Sequence, residues 1–111
     1  TASSISELGA IPIFADINIE TGCIDIDSIK EKITPKTKGI IGVHYGGYPV
    51  DFDVILSFCK KHGLFLIEDA AHAHGTEWKG RKIGAIGDMG SFSFQETKSL
   101  ASGEGGMVLT R

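Results

Sequence analysis

LFLIEDAAHAHG, residues 64–75, is the stretch on which the architecture turns. Its apolar run from Leu64 to Ile67 is too short for a helix and shows no alternation, the pattern of a strand covered on both faces in a parallel sheet. The strand, 64–68, delivers Asp69 at its carboxyl end. Ligands of open α/β sheets bind just beyond those ends.

Just upstream, DFDVILSFCKKHG (51–63) reads as a helix. Asp51 can cap its start, Ile55, Phe58, Cys59 and His62 follow the i, i+3, i+4, i+7 rule, Lys60 and Lys61 fall in the last turn, and Gly63 lies beyond. KGIIGV (38–43) precedes it as a strand, joined by the turn HYGGYPV. Strand, helix, strand is the order of a parallel sheet with crossover helices.

Further out, IPIFADI (11–17) is expected as the first strand, and ISELGA before it as the tail of a helix stopped by Gly9. A short helix follows, capped by Asp27 and Ser28 with Glu31 completing a capping box, and Thr34-Pro35 ends it. Beyond Gly75, TEWKGRKIG reads as a hairpin turning at Lys79-Gly80, then come the strand SFSF, a loop carrying Lys98, and the strand MVLT. The predicted class is α/β, a mostly parallel sheet flanked by helices.

Composition narrows the partners. The 111 residues, 41% apolar and 23% charged, suit one globular domain or a piece of one. A net charge of -3 without a block of either sign gives neither a nucleic-acid footprint nor a polybasic membrane surface. No stretch has the length of a membrane span or the pattern of a signal peptide. Cys23 and Cys59 form no CxxC pair, Cys59 reads as core filler, and a reducing, cytoplasmic setting is expected. Both ends read as cut: the chain opens in a helix tail and closes on the uncovered strand of GGMVLTR. Residues 1–111 are therefore expected to be an incomplete segment of a longer protein.

Lys98 and Asp69 carry the chemistry. An amine and a carboxylate brought together at strand ends are the two fixed points that pyridoxal phosphate requires, one for its aldehyde and one for its ring nitrogen. The lysine holds the cofactor as a Schiff base and, once released, moves a proton between substrate and cofactor carbons. Ser93, five residues before Lys98, can donate to the phosphate, and His72 can bond the phenolic oxygen or pack on the ring.

These residues lie in blocks with a family resemblance. IPIFADI, ITPKTKGIIGVHYGGYPVDFD, HGLFLIEDAAHAHGTEWKGRKIGAIGDMGSFSF and TKSLASGEGG resemble the DegT/DnrJ/EryC1/StrS sugar aminotransferases over nearly the whole chain. The resemblance implies the central part of the large domain of a type I pyridoxal-phosphate transferase. It implies Asp69 on the pyridine nitrogen, His72 against the cofactor, Ser93 on the phosphate and Lys98 in the internal aldimine. It further implies a homodimer that moves an amino group from glutamate or glutamine to a keto sugar, usually nucleotide-linked, or to a ketocyclitol. Gln95 and Glu104 lean toward the ketocyclitol and aminobenzoate branch. Ser99 stands where many relatives have asparagine, and His72 where many have glutamine. Lys98 argues against the dehydratase branch, which has histidine there. The family's phosphate-gripping helix start, stacked aromatic residue and small carboxyl-terminal domain fall outside these residues, so the isolated segment is expected to be inactive.

Plainer readings stand beside these. Asp69 could cap a turn, Lys98 could be a solvated loop lysine, Ser93 an ordinary strand serine and His72 a structural histidine. His44 reads as part of a structural turn, and Trp78 as a packing, dimer or substrate contact. His72, His74, Asp69 and Asp88 match no standard zinc spacing, so no metal is expected. GEGG lacks the spacing of a dinucleotide loop. A non-catalytic binding or regulatory relic of the same fold is the alternative to the enzyme.

Overall fold

The computed structural model describes residues 1–110. Helix α1 (Ala2–Glu7) and helix α2 (Ile26–Lys32) precede strand β1 (Gly39–Val43), helix α3 (Phe52–His62) and strand β2 (Phe65–Asp69). The hairpin β3 (Glu77–Trp78) and β4 (Arg81–Lys82) leads to β5 (Met89–Ser93) and β6 (Gly106–Thr110). The main sheet has the order β1-β2-β5-β6, with β1, β2 and β5 parallel and β6 antiparallel to β5.

Helix α3 forms where the spacing predicts. Asp51 accepts the N–H groups of Asp53 and Val54, and Gly63 closes the helix in the left-handed region at φ 64°. Each bond satisfies a backbone group that a helix end leaves open. Its inner face, Phe52, Ile55, Phe58 and Cys59, packs with Ile40 and Leu66 from the sheet, and this is the core. Phe52 is buried, and a phenylalanine so enclosed contributes about 1.5–3 kcal/mol. Cys59 is a free thiol in that core, its pKa pushed up by burial and by the nearby Asp88 charge. Trp78 packs on Phe52 with ring centroids 6.1 Å apart.

The hairpin turns at Lys79 and Gly80, both at positive φ (50° and 77°) as its two-residue turn requires. The chain then crosses β5 so closely that a Cβ on Gly90 would lie 2.0 Å from the Gly84 carbonyl oxygen. Only glycine permits that crossing.

Four expectations need correction. IPIFADI is not a strand: residues 11–16 run without regular structure, a single bridge joins Ile17 to Ile24, and Ile11, Ile13 and Phe14 are exposed. A strand is made by its partner's ladder, and among the described residues none lies alongside. Helix α2 is capped by Asp25, whose extended backbone lets its carboxylate accept from Asp27 and Ser28. The Ser28 hydroxyl instead accepts the Asp16 N–H at 2.8 Å, tying the preceding segment to α2. The strand expected at 91–94 spans Met89–Ser93, and among the described residues β2 is buried on one face, with Ile67 and Asp69 partly buried on the other. Its apolar run reflects Leu66 in the core and Phe65 lying over Gly39 on the open side.

Candidate active site

The parallel strands β1, β2 and β5 all end on the same edge of the sheet, and the predicted site residues gather there. Register places Val43, Asp69, Ser91 and Val108 in one row across the four strands. Since side chains alternate along a strand, Asp69, Ser91 and Ser93 share one face while Leu66 and Glu68 point into the core. Ser93 lies two residues beyond the row, about 8 Å from Asp69 by strand spacing and rise.

Lys98 lies in the loop that joins β5 to β6. That excursion is closed at its base by Phe94 N–H to the Gly105 carbonyl (2.7 Å) and Ser102 N–H to the Phe94 carbonyl (2.8 Å). Within it the Gln95 side chain accepts from the Thr97 N–H and hydroxyl, and the Lys98 N–H bonds the Gln95 carbonyl. Lys98 is half-buried, and among the described residues its amine has no hydrogen bond or ion pair. It is a held backbone presenting an uncommitted nucleophile.

Asp69 is held differently. Its Oδ1 accepts the Ala71 N–H at 3.2 Å, and its Oδ2 accepts the Thr1 hydroxyl at 2.5 Å. His72 is exposed in the turn after β2, its ring 6.2 Å from that of Tyr45 in an edge-on arrangement. The Ser93 hydroxyl accepts the Gln95 N–H at 3.4 Å. The structure thus brings Asp69 and Ser93 onto one face, and places His72 and Lys98 on loops leaving the same edge.

Beneath Asp69 lies a group that the sequence reading did not single out. Glu68 is buried, and its Oε1 accepts the N–H groups of Ile86 (2.7 Å) and Gly87 (2.5 Å). Its Oε2 accepts the Gly84 N–H (2.6 Å) and meets His44 Nε2 at 3.1 Å. The Val50 N–H donates to His44 Nδ1, so Nε2 carries the hydrogen and donates to Glu68. Burial alone raises the Glu68 pKa, but the His44 hydrogen bond and the three N–H donors outweigh it and hold it below its ordinary 4.5. This carboxylate pins the loop before β5 to the ends of β1 and β2. His44 is structural, as its turn suggested. The signal for Glu68 was its parity with Leu66, hidden in an apolar run.

His74 packs beside Phe92 and Phe94, at 5.4 and 5.6 Å, with both ring nitrogens buried and unpaired. Among the described residues no group of three or more His, Cys, Asp or Glu could hold a metal ion, and no helix is long and apolar enough to cross a membrane.

An amine without a partner, a carboxylate held by two donors and a strand hydroxyl at one edge of the sheet are groups that suit pyridoxal phosphate, and the fold is that of the type I pyridoxal-phosphate enzymes. Residues 1–111 match the DegT/DnrJ/EryC1/StrS aminotransferase family throughout, and the chain belongs to it.

The chain is 51% identical over 110 residues to the spore coat polysaccharide biosynthesis protein SpsC of Bacillus subtilis, covering 99% of this chain and 28% of that protein. It is 44% identical over 110 residues to L-glutamine:2-deoxy-scyllo-inosose aminotransferase of Streptoalloteichus tenebrarius, covering 99% and 26%. Among solved structures, the aminotransferase from Psychrobacter cryohalolentis superposes with a TM-score of 0.95 at 48% identity, covering 97% of this chain and 28% of that one. The chain thus spans little more than a quarter of the length of these relatives. Pyridoxal phosphate is the cofactor of the family.

Proposed function

We propose that this chain is a segment of the large, cofactor-binding domain of a longer pyridoxal-phosphate aminotransferase. That enzyme moves an amino group from glutamine or glutamate to a keto sugar or ketocyclitol. The carrying observation is the gathering of Asp69, Ser93, His72 and the Lys98 loop at the carboxyl edge of β1, β2 and β5. The substrate class rests on relatives such as the glutamine-dependent scyllo-inosose aminotransferase. Free, buried cysteines suit a cytoplasmic setting. A homodimer, in which a second copy helps complete the pocket, rests on family membership.

When bound, pyridoxal phosphate supplies an electron sink for a carbanion at the amino-bearing carbon. The chain's residues do the rest. Lys98 would hold the cofactor through its amine and, when that amine is free, would take a proton from the substrate carbon. Asp69 would stabilise positive charge on the ring nitrogen, Ser93 would donate to the phosphate, and His72 would hydrogen-bond the cofactor or pack on its ring.

The test is borohydride reduction of the full-length protein with pyridoxal phosphate, followed by peptide mapping. A stable adduct on Lys98, lost together with transamination in Lys98→Ala, is expected. An adduct elsewhere, or near-normal turnover in Lys98→Ala, would sink the assignment.

A further inference from the structure

The cofactor reading leaves unexplained the contact that α1 makes with the site. The Thr1 side chain makes no hydrogen bond to the start of α1. Its hydroxyl reaches Asp69 Oδ2, 68 residues away in sequence. A carboxylate has no hydrogen to give, so the hydroxyl is the donor.

Core packing does not bring the two together, because α1 buries none of its residues. Instead α1 lies over the open face of the sheet, where Thr1 and Ser4 border a cavity of about 250 Å³ with Ile67, Asp69 and Ser91. The second torsion of an aspartate side chain is broad, so the Ala71 bond alone leaves the carboxylate free to swing. A donor on the other oxygen fixes its plane, and with it the direction of the remaining lone pairs.

We propose that Thr1 is a positioning residue that acts on the cofactor only through Asp69, by holding the carboxylate that pairs with the ring nitrogen. The proposal rests on the cofactor role of Asp69.

The experiment is a visible-absorption titration of the full-length apoprotein with pyridoxal phosphate, for wild type, Thr1→Val, Thr1→Ser, Asp69→Ala and Thr1→Val/Asp69→Ala, numbered as here. The Thr1–Asp69 bond is made without the cofactor, so its loss acts on affinity only through the orientation of the carboxylate. Thr1→Val should therefore bind the cofactor more weakly, while Thr1→Ser, which keeps the hydroxyl, should stay close to wild type. In the Asp69→Ala background the valine should add less than about twofold, since the interaction it removes is already gone. Thermal midpoints of the Thr1 variants, measured alongside, separate a loss of cofactor affinity from a loss of folded protein. Equal losses for valine and serine, or an undiminished valine effect without Asp69, would overturn the proposal. Wild-type affinity in Asp69→Ala would instead remove the cofactor role on which it stands.

Discussion

Replacing Glu68 with glutamine keeps the shape of the side chain and removes one acceptor oxygen. If the amide oxygen takes the place of Oε1, Ile86 and Gly87 keep their acceptor, but the amide NH2 then faces the Gly84 N–H and His44. His44 can switch tautomer to accept from it, at the cost of turning Nδ1–H against the Val50 N–H. In the opposite orientation the NH2 faces both Ile86 and Gly87. Two buried donors lose their acceptor in every arrangement. At about 1–3 kcal/mol for each buried group left unsatisfied, the loss is about 2–6 kcal/mol, a large part of a typical total of roughly 5–15.

Equilibrium urea unfolding of the full-length protein and of Glu68→Gln measures it. The pH dependence supplies a second check. Glu68 has a folded pKa below its unfolded value of 4.5, so its contribution is complete above that value and is lost as pH falls through the folded pKa. The difference between wild type and variant should therefore hold steady near neutrality and shrink in acid below 4.5. A difference under about 1 kcal/mol at pH 7, or one that stays constant into acid, would refute the reasoning.

Other perturbations act on the frame. Gly90→Ala drives a Cβ into the Gly84 carbonyl and should cost about 1–3 kcal/mol, seen as a lower thermal midpoint; an unchanged midpoint would mean the crossing can relax. Asp51→Ala removes the acceptor for the Asp53 and Val54 N–H groups and should cost about 1 kcal/mol, with Asp51→Asn restoring most of it in the same urea titration.

What the sequence made legible was whatever local chemistry decides. Helix α3 announces itself through Asp51, the apolar spacing of Ile55, Phe58 and Cys59, and Gly63, all within a few residues of one another. The hairpin is likewise written in Lys79-Gly80, and Asp69 follows from the end of an apolar run. IPIFADI has a strand's composition, but pairing depends on a neighbour that composition does not name. The cap of α2 lies two and three residues before the expected Asp27 and Ser28, because Asp25, Asp27 and Ser28 are all capping types and only backbone geometry chooses among them. Glu68 and Thr1 escaped notice for a shared reason. Their partners lie far along the chain, at Gly84, Ile86 and Gly87 for one and at Asp69 for the other, so no local pattern marks them.

Glu68 and Asp69 are adjacent acids with opposite destinations, one in the core and one on the open face. A strand that slips by a single residue exchanges its two faces entirely. For β2 such a slip would thrust the shorter acid among N–H groups it cannot reach, and would leave the longer one pointing out across the sheet. The neighbouring pair therefore works as a phase marker: a one-residue slip of β2 is penalised in the interior by the same shift that misplaces the outward carboxylate.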